Sequence, residues 1–200
     1  IGLANIESNG FDGGMLAAKR MAQKLAGKSG SVLVLENSPT IVPVVARGKG
    51  FVAGMKKLAP SIKVLPVQYS GGEPSNAATI VNNTLRAHPD LIGIFATFEP
   101  SVLGTISALA GSSAKSRVTV VGYDADAAEV QALKAGKLDA LVIQEPWQMG
   151  YSAVTQMAKV LNGKLDPKTI TYKQVTPLVL ATKANLGQPS VKKFLYADSC

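Results

Sequence analysis

The groups in this chain that could do chemistry sit at the ends of apolar runs. The clearest case is Val118-Thr-Val-Val-Gly-Tyr-Asp124, an apolar strand followed by a glycine, an aromatic and a carboxylate. A buried parallel strand ends at the rim of its sheet, and polar groups just past its carboxyl end face a crevice. Asp124 is therefore a candidate ligand contact. Equally, Tyr123-Asp124 could start a turn and cap a helix near Ala127. Three more apolar runs end alike: Glu36-Asn37 follows residues 31–35, Phe98-Glu99 follows 91–96, and Gln144-Glu145 follows 140–143. On one rim, and with Arg47 near the start of a helix facing it, such a set suits a neutral polyol. Carboxylates and an amide pair with hydroxyls, and aromatic rings cover the C–H faces. Ordinary loop and cap roles are the competing reading, and they are preferred for Glu36 and Asn37.

Several catalytic chemistries fail on spacing. Gly27-Lys28-Ser29 resembles the end of a phosphate loop, but Ala22 stands where the upstream glycine is needed, and the stretch closes a helix instead of opening one. Gly48, Gly50 and Gly54 miss the dinucleotide spacing by one place. There is no Gly-x-Ser-x-Gly elbow, so a nucleophile–base pair would have to use the single histidine. That residue, His88, reads as the end of a helix before Pro89, where an imidazolium favours the helix dipole. One histidine and one distant cysteine make no zinc site, and the carboxylates lack calcium-loop spacing. No cofactor motif is present.

The positioning elements are legible from periodicity. After a turn-rich stretch over 7–14, Met15, Ala18, Met21, Ala22 and Leu25 recur at helical spacing, closed by Gly27. Residues 31–35 form a strand. After a loop over 38–43, Phe51, Val52, Met55 and Leu58 mark a second helix that stops before Pro60. Residues 62–67 are the next strand, and their proline implies an edge or the strand's end. The pattern then continues with a helix bearing Ala78, Val81 and Leu85, a strand over 91–96, a helix over 101–109 and the strand over 118–124. A short helix around Val130 and Leu133, the strand over 140–144 and a long helix opened by Pro146 follow. Residues 169–174 alternate, and 177–181 form a last apolar run. Strands alternating with amphipathic helices give an α/β fold, a doubly wound parallel sheet covered on both faces.

Composition supports a folded chain: of its 200 residues, 46% are hydrophobic and only 17% charged, far from a disordered balance. The excess of 21 basic over 13 acidic residues invites a nucleic-acid reading. The basic residues are scattered singly or in pairs without interleaved aromatics, so a solvated surface is preferred and no nucleic-acid partner is expected. Attraction to anionic surfaces stays open. The lone cysteine, Cys200, allows no intrachain disulfide.

Five segments occur in a familiar order: Asp12-Gly-Gly14, Arg47-Gly-Lys-Gly-Phe51, Ala87-His-Pro-Asp90 before Ile94-Phe95-Ala96, Val120-Val-Gly-Tyr-Asp124, and Gly136-Lys-Leu-Asp-Ala140 to Gln144. Together they resemble the type I periplasmic sugar-binding proteins, the ribose-binding kind above all, whose fold is shared by lac-repressor-type effector domains. The resemblance implies two Rossmann-like lobes closing over a sugar, with contacts from Arg47, Asp124 and Gln144 and with Tyr123 packing alongside. Where such proteins carry Asn-Asp, this chain has Phe98-Glu99, so those two residues are expected to alter the ligand. Tyr69 or Gly72 falls near the place of an aromatic on the ligand's other face.

Family members also carry a longer segment ahead of the part matching Ile1. The resemblance thus implies that 1–8 is a strand leaving a missing first lobe and 9–144 the second, ligand-binding lobe. It assigns 145–176 to the first lobe as helix and strand, and 177–200 to a hinge return and tail. The apolar face of the helix over 146–163, with Trp147, Val154 and Met157, would then have no sheet to cover. The implied function is a periplasmic solute-binding component of an ABC importer, not an enzyme, whose partner is the membrane permease. The alternatives are the ligand-sensing domain of a transcriptional repressor and an enzyme using Glu99 and Asp124 as an acid–base pair.

Overall fold

The continuous apolar runs pair with one another. In the computed structural model, which describes residues 2–196, strands β2 (Gly30–Glu36), β5 (Leu91–Ala96), β6 (Thr119–Tyr123) and β7 (Ala140–Ile143) lie side by side, all parallel. Side chains alternate across such a sheet, so each strand feeds two cores. On one face Leu33, Leu35, Ile94, Val120 and Leu141 join Val81, Val102, Leu109 and Leu133 of the helices α3 (Pro74–Ala87), α4 (Glu99–Ala110) and α5 (Ala127–Lys134). On the other, α1 (Gly10–Lys24) and α2 (Val42–Leu58) bury Met21, Phe51 and Met55, and Phe51 stacks on Phe95 at a centroid distance of 4.7 Å. The doubly wound α/β sheet read from the sequence is thus what forms.

Its edges differ from its centre. Beside β2 run two short strands, β3 (Ile62–Val64) and β4 (Gln68–Tyr69), interrupted around Pro66. A proline there removes a ladder donor, which an edge tolerates. At the opposite edge β9 (Val179–Ala181) lies antiparallel to β7, with Ile143 opposite Val179. The short helix α7 (Pro189–Lys192) follows, and Val191 and Phe194 are buried in the core of the α3–α5 face.

Contacts divide the chain into two units. The larger holds Gly10–Ile143 and the segment from Val179; the smaller holds residues to Asn9 and Gln144–Leu178. In the smaller unit β1 (Asn5–Ser8) pairs in parallel with β8 (Lys173–Thr176), tied by Lys173 to Glu7 at 3.0 Å, and α6 (Pro146–Leu161) packs on β1. No residue of α6 is buried, and Trp147 and Leu161 are 70% and 78% exposed.

Three local expectations need correction. Residues 10–14 are helix, not turn, because Gly13 and Gly14 serve packing. A Cβ on Gly14 would lie 1.9 Å from the Arg47 carbonyl oxygen, so only glycine lets α1 approach α2 this closely. Val52 and Leu58 are exposed on α2; its inner face is Val44, Arg47, Gly48, Phe51 and Met55, rotated toward α1. The strand expected near 170–174 is set by pairing with β1 and runs over 173–176 instead. The expectations for Ile1 and Cys200 fall outside the described residues.

Candidate functional site

The carboxyl ends of β5 and β6 bring three of the singled-out residues together within the larger unit. Asp124 follows β6 directly and has φ +83°, the only positive φ at a non-glycine position among the described residues. Aspartate tolerates this region better than most side chains, yet the conformation still costs free energy and must be held by its surroundings. The holding is visible. Its amide donates to the Val142 carbonyl at 2.9 Å, Arg47 Nη1 reaches Oδ2 at 3.4 Å, and the Tyr196 hydroxyl donates to Oδ1 at 3.0 Å.

Arg47 is itself fixed. It sits on the inner face of α2, only 7% exposed, and Nη1 donates to the Thr97 carbonyl at 2.6 Å. Its guanidinium lies over the Tyr123 ring, 3.8 Å from the centroid, where the ring quadrupole attracts a cation. Tyr123 is fully buried, and a Cβ on Gly13 would meet its hydroxyl oxygen at 2.3 Å. The Asp12-Gly-Gly14 segment thus makes room for the tyrosine that carries the arginine that pairs the aspartate.

Acidic groups crowd this rim. Glu99 opens α4 with Pro100 in the first turn, and its carboxyl is pushed up by burial and then by Asp126 and Asp124. Glu129 is fully buried on α5. Its Oε2 accepts the Asp126 amide in a capping box, while burial, then the Asp124 charge, raises its pKa to about 9. The Tyr196 hydroxyl is likewise pushed well above its usual range by burial and the neighbouring Asp124 carboxylate, so it stays a proton donor. Around neutral pH Glu129 and Tyr196 therefore stand protonated beside Asp124.

Other expected members are placed differently. Phe98 is the N-cap residue of α4 and 8% exposed, so its ring is mostly packed against protein. Gln144 belongs to the smaller unit, where its side-chain oxygen accepts from the Ser8 hydroxyl at 2.7 Å. Glu36 turns beneath α2, 2% exposed, with Oε1 over Gly48; burial lifts its pKa to about 7. It does not join the Arg47–Asp124 set. Tyr69 is 44% exposed and stands opposite Glu36 in the β2–β4 register. Among the described residues, no group of three or more His, Cys, Asp and Glu is placed to hold a metal ion. Sequence reasoning missed Thr97, Glu129 and Tyr196. Thr97 and Glu129 neighbour residues already singled out, whereas nothing local marks Tyr196.

Comparison with known proteins gives the family of the chain. Residues 2–165 match the model of the periplasmic binding protein domain. The chain belongs to that family. The ribose import binding protein of Bacillus subtilis is 32% identical over 180 residues, covering 89% of this chain and 55% of that protein. The D-apiose import binding protein of Paraburkholderia graminis is 26% identical, covering 94% of this chain and 59% of its own length. An ABC transporter solute-binding protein from Agrobacterium vitis, solved with α-D-tagatopyranose, superposes with a TM-score of 0.89 at 30% identity, over 98% of this chain and 64% of that one. The fold is the type I periplasmic binding protein fold, as the five sequence segments implied. The chain spans about half the length of the curated relatives it matches.

Proposed function

We propose that this chain is part of the periplasmic solute-binding component of an ABC importer, capturing a sugar or related small polar ligand without catalysis and delivering it to a membrane permease. The observation that carries the reading is Asp124, a carboxylate in a strained backbone conformation at a strand end. Oδ2 accepts from Arg47 and Oδ1 from the Tyr196 hydroxyl, the kind of pairing by which a carboxylate recognises hydroxyl donors. Arg47 fixes Asp124 and offers the rest of its fork, Tyr123 supports the guanidinium, and Phe98 and Glu99 shape the rim. The sugars named for the relatives agree with this chemistry. The smaller unit is read as part of a first lobe that the full-length protein completes, which accounts for the exposed apolar face of α6.

Calorimetric titration of the full-length protein with pentoses, hexoses and polyols tests the reading. A charge-assisted hydrogen bond contributes about 1.5–3 kcal/mol, so Asp124→Ala should weaken the best ligand about 10- to 100-fold. Tyr196→Phe, which removes one donor to Asp124 and keeps the ring, should weaken it about five-fold. A ligand that binds wild type and Asp124→Ala alike would remove Asp124 from the site.

A further inference from the structure

The sequence scatters its basic residues, but the fold of the larger unit gathers five of them at one place. At the amino ends of β6 and β7, opposite the end that carries Asp124, a cavity of about 600 Å³ is lined by Lys24, Lys28, Lys115, Arg117 and Lys137, with Asp139 its only carboxylate. Asp139 is already engaged: Lys24 pairs with Oδ1 at 2.9 Å and the Val120 amide donates to Oδ2 at 3.1 Å. Arg117 is anchored by Nη1, which donates to the Pro89 and Leu91 carbonyls at 2.8 and 2.7 Å, so its charge is fixed at the cavity. Among the described residues, Lys28, Lys115 and Lys137 take part in no ion pair.

These three lysines come from three separate connections. Lys28 lies between α1 and β2, Lys115 on the turn Ser113–Ser116 ahead of β6, and Lys137 after Gly136 in the turn between α5 and β7. Charges that merely solvate a helix face point apart into water. Here they converge on one concavity, where low-dielectric walls strengthen the field and their mutual repulsion is relieved by an anion between them. The exposed hydroxyls of Ser113 and Ser116 add donors at the same place, and Leu109 and Val118 close its floor.

We propose that this cavity binds a small polyanion carrying two or more phosphate groups. A single monoanion would leave most of the cationic charge unmatched. The volume suits a compact small molecule, and lysine is a common point-charge partner for phosphate. The site is independent of the sugar site at the other end of the strands.

The test is calorimetric titration of the full-length protein with inorganic pyrophosphate at low ionic strength. Saturable binding at one equivalent is expected. It should weaken at least about ten-fold in Lys28→Gln/Lys115→Gln/Lys137→Gln, whose lysines are all exposed. Lys56→Gln/Lys57→Gln/Lys63→Gln removes the same charge away from the cavity and should leave binding within about two-fold. Absence of saturable binding, or equal losses in the two triple variants, would overturn the proposal. So would citrate binding as tightly as pyrophosphate. Sedimentation with phosphatidic acid vesicles in the absence of any pyrophosphate binding would also overturn it, because it would assign the charge to a membrane surface.

Discussion

Asp124 shows how neighbouring groups hold a residue in a backbone conformation it would not adopt alone. Its backbone sits in a region that costs on the order of 1–3 kcal/mol, and Arg47, Tyr196 and the Val142 carbonyl hold it there. Keeping Glu129 neutral limits the negative charge beside it. The pKa of Glu129 is raised from 4.5 to about 9, so its native state binds a proton that the unfolded chain releases. The stabilisation this brings is complete below about pH 4.5 and is lost as pH rises toward 9. Glu129→Gln keeps the capping-box geometry, needs no proton, and turns an amide donor toward the acidic neighbours. It should stabilise the protein by on the order of 2 kcal/mol at pH 8, with the gain vanishing near pH 4–5, as measured by urea unfolding across that range. A gain that is the same at every pH would refute the neutral assignment. Asp124 was legible in sequence because a carboxylate closing an apolar strand is a local pattern. Tyr196 was not, because its contact spans 72 positions and is decided by where the tail returns.

At the scale of elements, the site depends on how closely two helices approach. Gly14 lies against the backbone of Arg47, and Gly50 against the backbone of Phe11, where an added Cβ would stand 2.0 Å from the carbonyl oxygen. Backbone cannot swing aside as a side chain can. Gly14→Ala should gain about 1 kcal/mol in helix propensity yet lose more through overpacking, for a net destabilisation of about 2 kcal/mol. A fall in Tm of about 4–8 °C is expected, and weaker ligand binding should accompany it as Arg47 is displaced. An unchanged Tm would mean that α1 shifts freely. The same glycines explain why residues 7–14 read as a turn: glycine signals both conformational freedom and close approach, and one sequence does not distinguish them. Strand periods carried no such ambiguity. The runs at 31–35, 91–96 and 140–143 are apolar on both faces because helices cover both, so they could be placed to within a residue or two.

At the scale of the whole molecule, the alternation of strands and helices made the larger unit's architecture readable, whereas the spatial gathering of Lys28, Lys115 and Lys137 emerges only from the path of the chain between them. That path has one more consequence. The larger unit is discontinuous in sequence, and its two segments meet as antiparallel neighbours, Ile143 opposite Val179 and Leu141 opposite Ala181. Those are the ends of a hairpin with everything from Gln144 to Leu178 inserted at its tip. The insertion is therefore excisable. Replacing Gln144–Leu178 by Asn-Gly, which favours the tight turn that suits twisted antiparallel strands, and starting the chain at Gly10 should leave an autonomous domain. It should unfold in a single cooperative transition, with the tyrosine of its tail still seated on Asp124; a gradual, non-cooperative melt would show that the excised stretch is needed for folding.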